Sequence, residues 1–243
     1  SGLKNIINAN TLTGTNKADI TAGTLADIVI GSVNADTITG GNAADTIIGG
    51  RGADRIVLTE TAAAKDVVRF FDAGANSTNG TSNTDATSAA NNGIDTIVGF
   101  TAGSATTADV LSFMDDTNGT PVNVIAGTAA VTFAKGTAAQ LAAGTATANG
   151  GTDIASDANV IVVTDAVGTL TGAGIQSLIT TINAGAGTDI GNGVILVVAG
   201  ATGDAQIYYD AAAASGDAVQ IGVLEGITLT GLSSFVAGNF AMT

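Results

Sequence analysis

Between Gly14 and Val57 the apolar residues arrive in short bursts, each opened by an aspartate. The bursts read Asp27-Ile28-Val29-Ile30, Asp36-Thr37-Ile38-Thr39, Asp45-Thr46-Ile47-Ile48 and Asp54-Arg55-Ile56-Val57. Their four aspartates stand nine residues apart, and Asp19 stands eight before Asp27. Alternation over so few positions predicts strands of about three residues. The small and turn-forming residues between the bursts predict tight turns.

The blocks align as an internal repeat, which must be read before anything else because it decides the fold. Gly49 to Val57 reads GGRGADRIV, Gly40 to Ile48 GGNAADTII, Gly31 to Thr39 GSVNADTIT, and Ala22 to Ile30 AGTLADIVI. Gly14 to Thr21, GTNKADIT, is one residue short. The pattern resembles the RTX calcium-binding nonapeptide, G-G-x-G-x-D-x-U-x with U apolar. Gly49 to Val57 matches it at every position; Ala43, Ser32 and Asn34 stand where other blocks depart from glycine.

The resemblance implies a parallel β-roll with two repeats per turn and calcium held between stacked turns. Calcium takes about six to eight oxygen ligands, drawn from carboxylates and backbone carbonyls. Glycine admits the positive φ that points carbonyls inward, and Asn34 tolerates it. The expected ligands are the carboxylates of Asp19, Asp27, Asp36, Asp45 and Asp54. To these the turn positions Gly31, Asn34, Gly40, Asn42, Gly49, Arg51 and Gly52 are added. Asp27 is expected to stack on Asp45, Asp36 on Asp54, and Asp19 near Asp36. Val29, Ile38, Ile47 and Ile56 are expected to line the interior. An Ala-Asp step at one phase in five blocks is more than turn chemistry alone requires.

Beyond the repeats, Lys65 to Asp72 reads as a strand and Gly74 to Asn92 as a polar surface loop. Gly93 to Phe100 (GIDTIVGF) and Ala108 to Phe113 (ADVLSF) form a pair similar to the segment that follows the repeats in RTX proteins. Asp95 and Asp109 are therefore candidate ligands of a further calcium. Asp115 to Gly119 lacks the spacing of an EF-hand loop and reads as a turn. Thr137 to Ala148 and Gly172 to Ala184 predict short helices, the second from Ile175, Leu178, Ile179 and Ile182. Asn159 to Thr164, Gly193 to Ala199, Ala205 to Tyr209, Val219 to Leu224 and Gly226 to Leu232 predict strands. The expectation is an all-β chain: a parallel β-roll over 1–58, then a β-rich C-terminal region over 59–243 with one or two short helices.

Composition narrows the chemistry. The 243 residues include no Cys and no His, 34 Gly and one Pro. The net charge is −14, and Lys135 is the only basic residue after Arg69, against fourteen acidic ones. Such a surface repels nucleic acid and anionic membranes. Thiolate metal sites are excluded, and histidine bases and cysteine nucleophiles are missing. No G-x-S-x-G, H-E-x-x-H or phosphate-binding glycine loop occurs, so no enzymatic role is expected. No stretch is long and apolar enough to span a membrane. The final GLSSFVAGNFAMT resembles the uncleaved signal of type I secretion substrates. The composition resembles that of RTX surface-layer proteins. That implies calcium-dependent lattice formation outside a Gram-negative cell, with other copies of the chain, type I machinery and cell-surface polysaccharide as partners. The alternatives are the secretion module of an RTX enzyme or an RTX adhesin.

Overall fold

The computed structural model describes residues 4–71, 93–117, 120–122, 133–143, 147–148, 160–168, 170–186, 193–198, 203–210 and 218–241. The repeat bursts form three-residue strands: β1 (Ile6–Asn8), β2 (Asp19–Thr21), β3 (Ile28–Ile30), β4 (Thr37–Thr39), β5 (Thr46–Ile48) and β6 (Arg55–Val57). Successive bursts go to opposite sheets. β1, β3 and β5 pair in parallel on one side, and β2, β4 and β6 on the other. Ile28 faces Thr46 and Thr37 faces Arg55, so one coil consumes two nonapeptides.

This winding is dictated by the middle residue of each burst. Side chains alternate across a strand, so Val29, Ile38, Ile47 and Ile56 all point inward, and all are fully buried. Burying a side chain of this size contributes about 1.5–3 kcal/mol. A strand of three residues buries one such side chain, or two in β5, where Ile48 joins Ile47, so each coil depends on its neighbours.

The roll continues past residue 58. β7 (Val67–Phe71) pairs with β5, and β9 (Val110–Thr117) pairs with β7. On the other side β8 (Asp95–Val98) pairs with β6. Val68, Ile97 and Leu111 extend the buried file. The two segments read as a pair in the sequence, 93–100 and 108–113, thus lie in opposite sheets, β8 beside β6 and β9 beside β7. The predicted loop at 74–92 lies outside the described residues.

The second sheet then runs on without a break. β16 (Val219–Glu225) pairs in parallel with β8, followed by β15 (Ala205–Asp210), β14 (Gly193–Val198), β13 (Val160–Val163), β11 (Phe133–Gly136) and β12 (Thr147–Ala148). β10 (Thr120–Val122) hairpins onto β9. α1 (Ala138–Ala142) lies in sequence between the parallel strands β11 and β13, and α2 (Gly172–Ala186) between β13 and β14. β13 is buried on both faces: Val160 and Val162 join the core of the roll, while Ile161 and Val163 meet Leu141, Ile175, Ile179 and Ile182 under the helices. Burial of both faces explains its unbroken apolar run.

The predicted strand from Gly226 to Leu232 is instead a turn at Gly226 (φ 87°) and a short helix, α3 (Leu229–Leu232). Leu229, Leu232 and Phe235 are spaced by three, which is helical spacing. The tail closes the distal end of the roll. Phe235 stacks on Phe100 and Phe240, and Phe240 also stacks on Phe133. β17 (Phe240–Ala241) pairs in parallel with β9. Lys135 Nζ donates to the carbonyls of Ser233 (2.6 Å) and Phe235 (2.9 Å).

Candidate calcium sites

Each aspartate of the repeats ends a turn, and the pleat turns its side chain back under the preceding glycines. On one edge of the roll Asn5, Asp27, Asp45, Asp66 and Asp109 are stacked. The Oδ1 of each aspartate accepts from the backbone N–H of the residue one coil earlier: Asn5 N–H to Asp27 (2.9 Å), Asp27 to Asp45 (2.6 Å), Asp45 to Asp66 (2.8 Å) and Asp66 to Asp109 (2.9 Å). On the other edge the order is Ala18, Asp36, Asp54 and Asp95, with distances of 2.7, 2.7 and 2.9 Å. Both files are buried from Asp27 and Asp36 onward.

The second carboxylate oxygen separates the positions. Oδ2 of Asp27 accepts from Gly23 N–H at 3.2 Å, that of Asp36 from Ser32 N–H, and that of Asp109 from Thr101 N–H at 2.7 Å. Oδ2 of Asp45 and Oδ2 of Asp54 are buried with no partner. These two aspartates close the turns that begin Gly40-Gly41 and Gly49-Gly50. Each aims the free oxygen at the first glycine, where a Cβ would stand 3.1 Å from Asp45 Oδ2 and 2.3 Å from Asp54 Oδ2. Neighbouring turns approach so closely that a Cβ on Gly50 (φ 104°) would meet Ser32 O at 2.1 Å. A Cβ on Gly31 would meet Gly49 O at 2.0 Å.

Burial controls the acidity of the files. It pushes Asp45 and Asp109 up to about 6, and Asp54 and Asp66 up to about 7. The neighbouring carboxylates Asp27 and Glu60 push Asp45 the same way, and Asp36 does so for Asp54. Asp95 is raised well above the usual range by burial and by Asp54. At Asp27 burial is outweighed by donation from the backbone of Asn5 and Gly23, from the Asn5 amide, and by the Lys4 charge, so its carboxyl is lowered.

A family model, that of the RTX calcium-binding nonapeptide repeat, matches residues 21–56 in four copies. The chain carries an RTX calcium-binding array. No curated protein and no solved structure matches it.

The RTX array fits its metal. Among the described residues no group of three or more acidic side chains is assembled to hold an ion. Stacked pairs of aspartates, Asp27 with Asp45 and Asp36 with Asp54, are the residues that would hold an ion, together with backbone carbonyls of the turns. Oxygen-only donors suit a hard cation, and the orphaned Oδ2 atoms of Asp45 and Asp54 are the ligands left open. Calcium bound there would supply the positive charge that these buried carboxylates otherwise lack.

Among the other expected positions, Gly31 and Gly49 lie back to back in adjacent coils, and Gly52 is packed on the Asn34–Ala35 peptide. Gly40 N–H is committed to Val57 O. Asn42 N–H is bonded to Gly23 O, and Arg51 N–H to Ser32 O. The Asn34 amide reaches across to Asn16 O at 2.7 Å. Asp19 is a correction. Because the first block is one residue short, Ala18 takes the ligand position beneath Asp36, and Asp19 moves to the first strand position, exposed and facing Thr37. Asp95 and Asp109 join the two files, so both belong to the stack. Asp66 was not among the expected ligands. It comes twelve residues after Asp54 rather than nine, and its turn has no glycine. The signal present was an aspartate opening the apolar pair Val67-Val68.

Proposed function

We propose that this protein is a calcium-dependent extracellular structural protein, a surface-layer component exported by type I secretion and not an enzyme. The observation that carries the reading is the continuous carboxylate stack from Asp27 to Asp109 in a roll whose second sheet passes directly into the C-terminal strands. A roll that becomes rigid only with calcium suits a chain that crosses the exporter unfolded and hardens outside. The tail over 227–243 is the export signal in this reading, and other copies of the chain, bridged through the acidic surface, are its partners. Cell-surface polysaccharide is the anchoring ligand.

Electron microscopy of the purified protein with and without millimolar calcium tests this. Two-dimensional arrays formed only with calcium support the lattice. A protein that stays monodisperse at every calcium concentration favours the secretion module of an RTX enzyme or adhesin instead.

A further inference from the structure

The turn joining β6 to β7, residues 58–66, contains no glycine. It nevertheless stacks on the glycine-rich turn 40–45: Asn42 Oδ1 accepts from both the N–H and the hydroxyl of Thr61, each at 2.8 Å. Without glycine the turn is poorly placed to direct several carbonyls inward. It carries a carboxylate instead. Oε2 of Glu60 accepts from Ala64 N–H, while Oε1 is buried with no partner. In the turn beneath, Asp45 is 1% exposed, its Oδ1 is committed to Asp27 N–H, and its Oδ2 is buried with no partner. Because the two turns stack through Asn42 and Thr61, the unpartnered oxygens of Glu60 and Asp45 lie in adjacent turns of one edge.

Two carboxylates of like charge, one on the buried Asp45 and one on the half-buried Glu60, each with a buried oxygen left without a partner, are costly unless something positive joins them. We propose that Glu60 is a calcium ligand which, with Asp45, completes a cation site in the glycine-free turn beyond the matched repeats. Its side chain takes over the part played by glycine carbonyls in the consensus turns. The donors are all oxygen and come from an irregular loop, which suits calcium better than magnesium, an ion that demands near-ideal octahedral geometry. The proposal rests on calcium binding by the array, since Asp45 belongs to both.

The test is calcium titration of the full chain by isothermal calorimetry and equilibrium dialysis. Glu60→Gln keeps an oxygen for Ala64 N–H and removes the charge. It should bind one calcium fewer than wild type, or bind it at least tenfold more weakly. Asp45→Asn should lose the same ion, and the double variant should lose no more than Asp45→Asn alone. Glu225→Gln, at the exposed partner of Arg55, should lose none. Wild-type stoichiometry and affinity in Glu60→Gln would overturn the proposal, as would a further ion lost in the double variant. If Glu60→Gln lowers the β content, a crystal structure of the wild-type protein grown in calcium decides. An ion about 2.3–2.6 Å from a Glu60 oxygen supports the site, and bound ions that all avoid Glu60 overturn it. A wild-type protein that binds no calcium at all would sink the array's own reading, a distinct result.

Discussion

The backbone N–H of Asp36 donates to Oδ1 of Asp54, 2.7 Å away and one coil further along. The carbonyl of the same residue, Asp36, accepts from Arg55 N–H at 2.9 Å. Each coil is thereby locked to the next through Asp54, whose remaining oxygen, Oδ2, is buried without a partner, so coil stacking and any metal binding would act on one side chain.

Asp36→Ala should therefore cost about 1–3 kcal/mol even before calcium is considered, because Ala18 N–H and Ser32 N–H lose their buried acceptor. It should also weaken calcium binding. Asp19→Ala, one residue out of register and exposed, should change stability by less than about 0.5 kcal/mol and leave calcium titration unaltered. Denaturant unfolding of the two variants checks both, and equal effects would contradict the register seen here.

The approach of adjacent turns predicts a contrast between two glycines. Gly50→Ala places a Cβ 2.1 Å from Ser32 O at a φ of 104°. It should prevent the coil from closing, with loss of the calcium-dependent β signal. Gly103 also has positive φ, 138°, but nothing lies within 4 Å of its Cβ position. Gly103→Ala should cost only backbone strain, about 1–3 kcal/mol. Circular dichroism in calcium distinguishes them.

Much of this was legible in the sequence. Nine-residue spacing and the inward file Val29, Ile38, Ile47 and Ile56 follow from strand alternation alone. Asp19 did not follow, because a single missing residue moves the ligand position to Ala18 while preserving the Ala-Asp dipeptide. Asp66 and Glu60 were hidden because the longer turn 58–66 loses both glycine and period while keeping its place in the stack. The segment around Leu229 has a strand-like sequence, since Thr228 and Thr230 alternate with apolar residues, yet it folds as a helix. What decides it is burial of Leu232 and Phe235 against the end of the roll.

Asn239 is fully buried at that end. Its Oδ1 accepts from Val236 N–H (3.0 Å) and Gly103 N–H (3.1 Å), and its Nδ2 donates to Asp109 O at 2.9 Å. Asn239→Ala leaves those groups unsatisfied and should cost about 1–3 kcal/mol. Calcium stoichiometry should not change, since Asp109 enters the stack through its side chain. Thermal melts and titration of the variant check the two halves of the statement.

Without metal, acidity should stabilise the roll. Asp45, Asp54, Asp66 and Asp109 have folded pKa values near 6–7, above the unfolded value of about 3.9. The folded state then binds more protons than the unfolded one between these values. This contribution is complete below about pH 4 and is lost as pH rises through 6 to 7. In chelator the melting temperature should fall from pH 5 to pH 7.5. In calcium the trend should reverse, because the ion requires the ionised carboxylates. A melting temperature that rises with pH in chelator would contradict the buried, unpaired carboxylates.

The most direct measurement is far-ultraviolet circular dichroism with thermal melting at pH 7.5, first in chelator and then in millimolar calcium. The stacked carboxylates repel one another without metal, and three-residue strands bury too little to resist. Each site occupied at a tenfold excess over its dissociation constant adds about 1–2 kcal/mol. The account predicts weak β signal and an early melt in chelator. Adding calcium should produce a gain in β signal and a rise of at least about 10 °C, reversed by fresh chelator. A β signal and a melting temperature that do not change with calcium would contradict it.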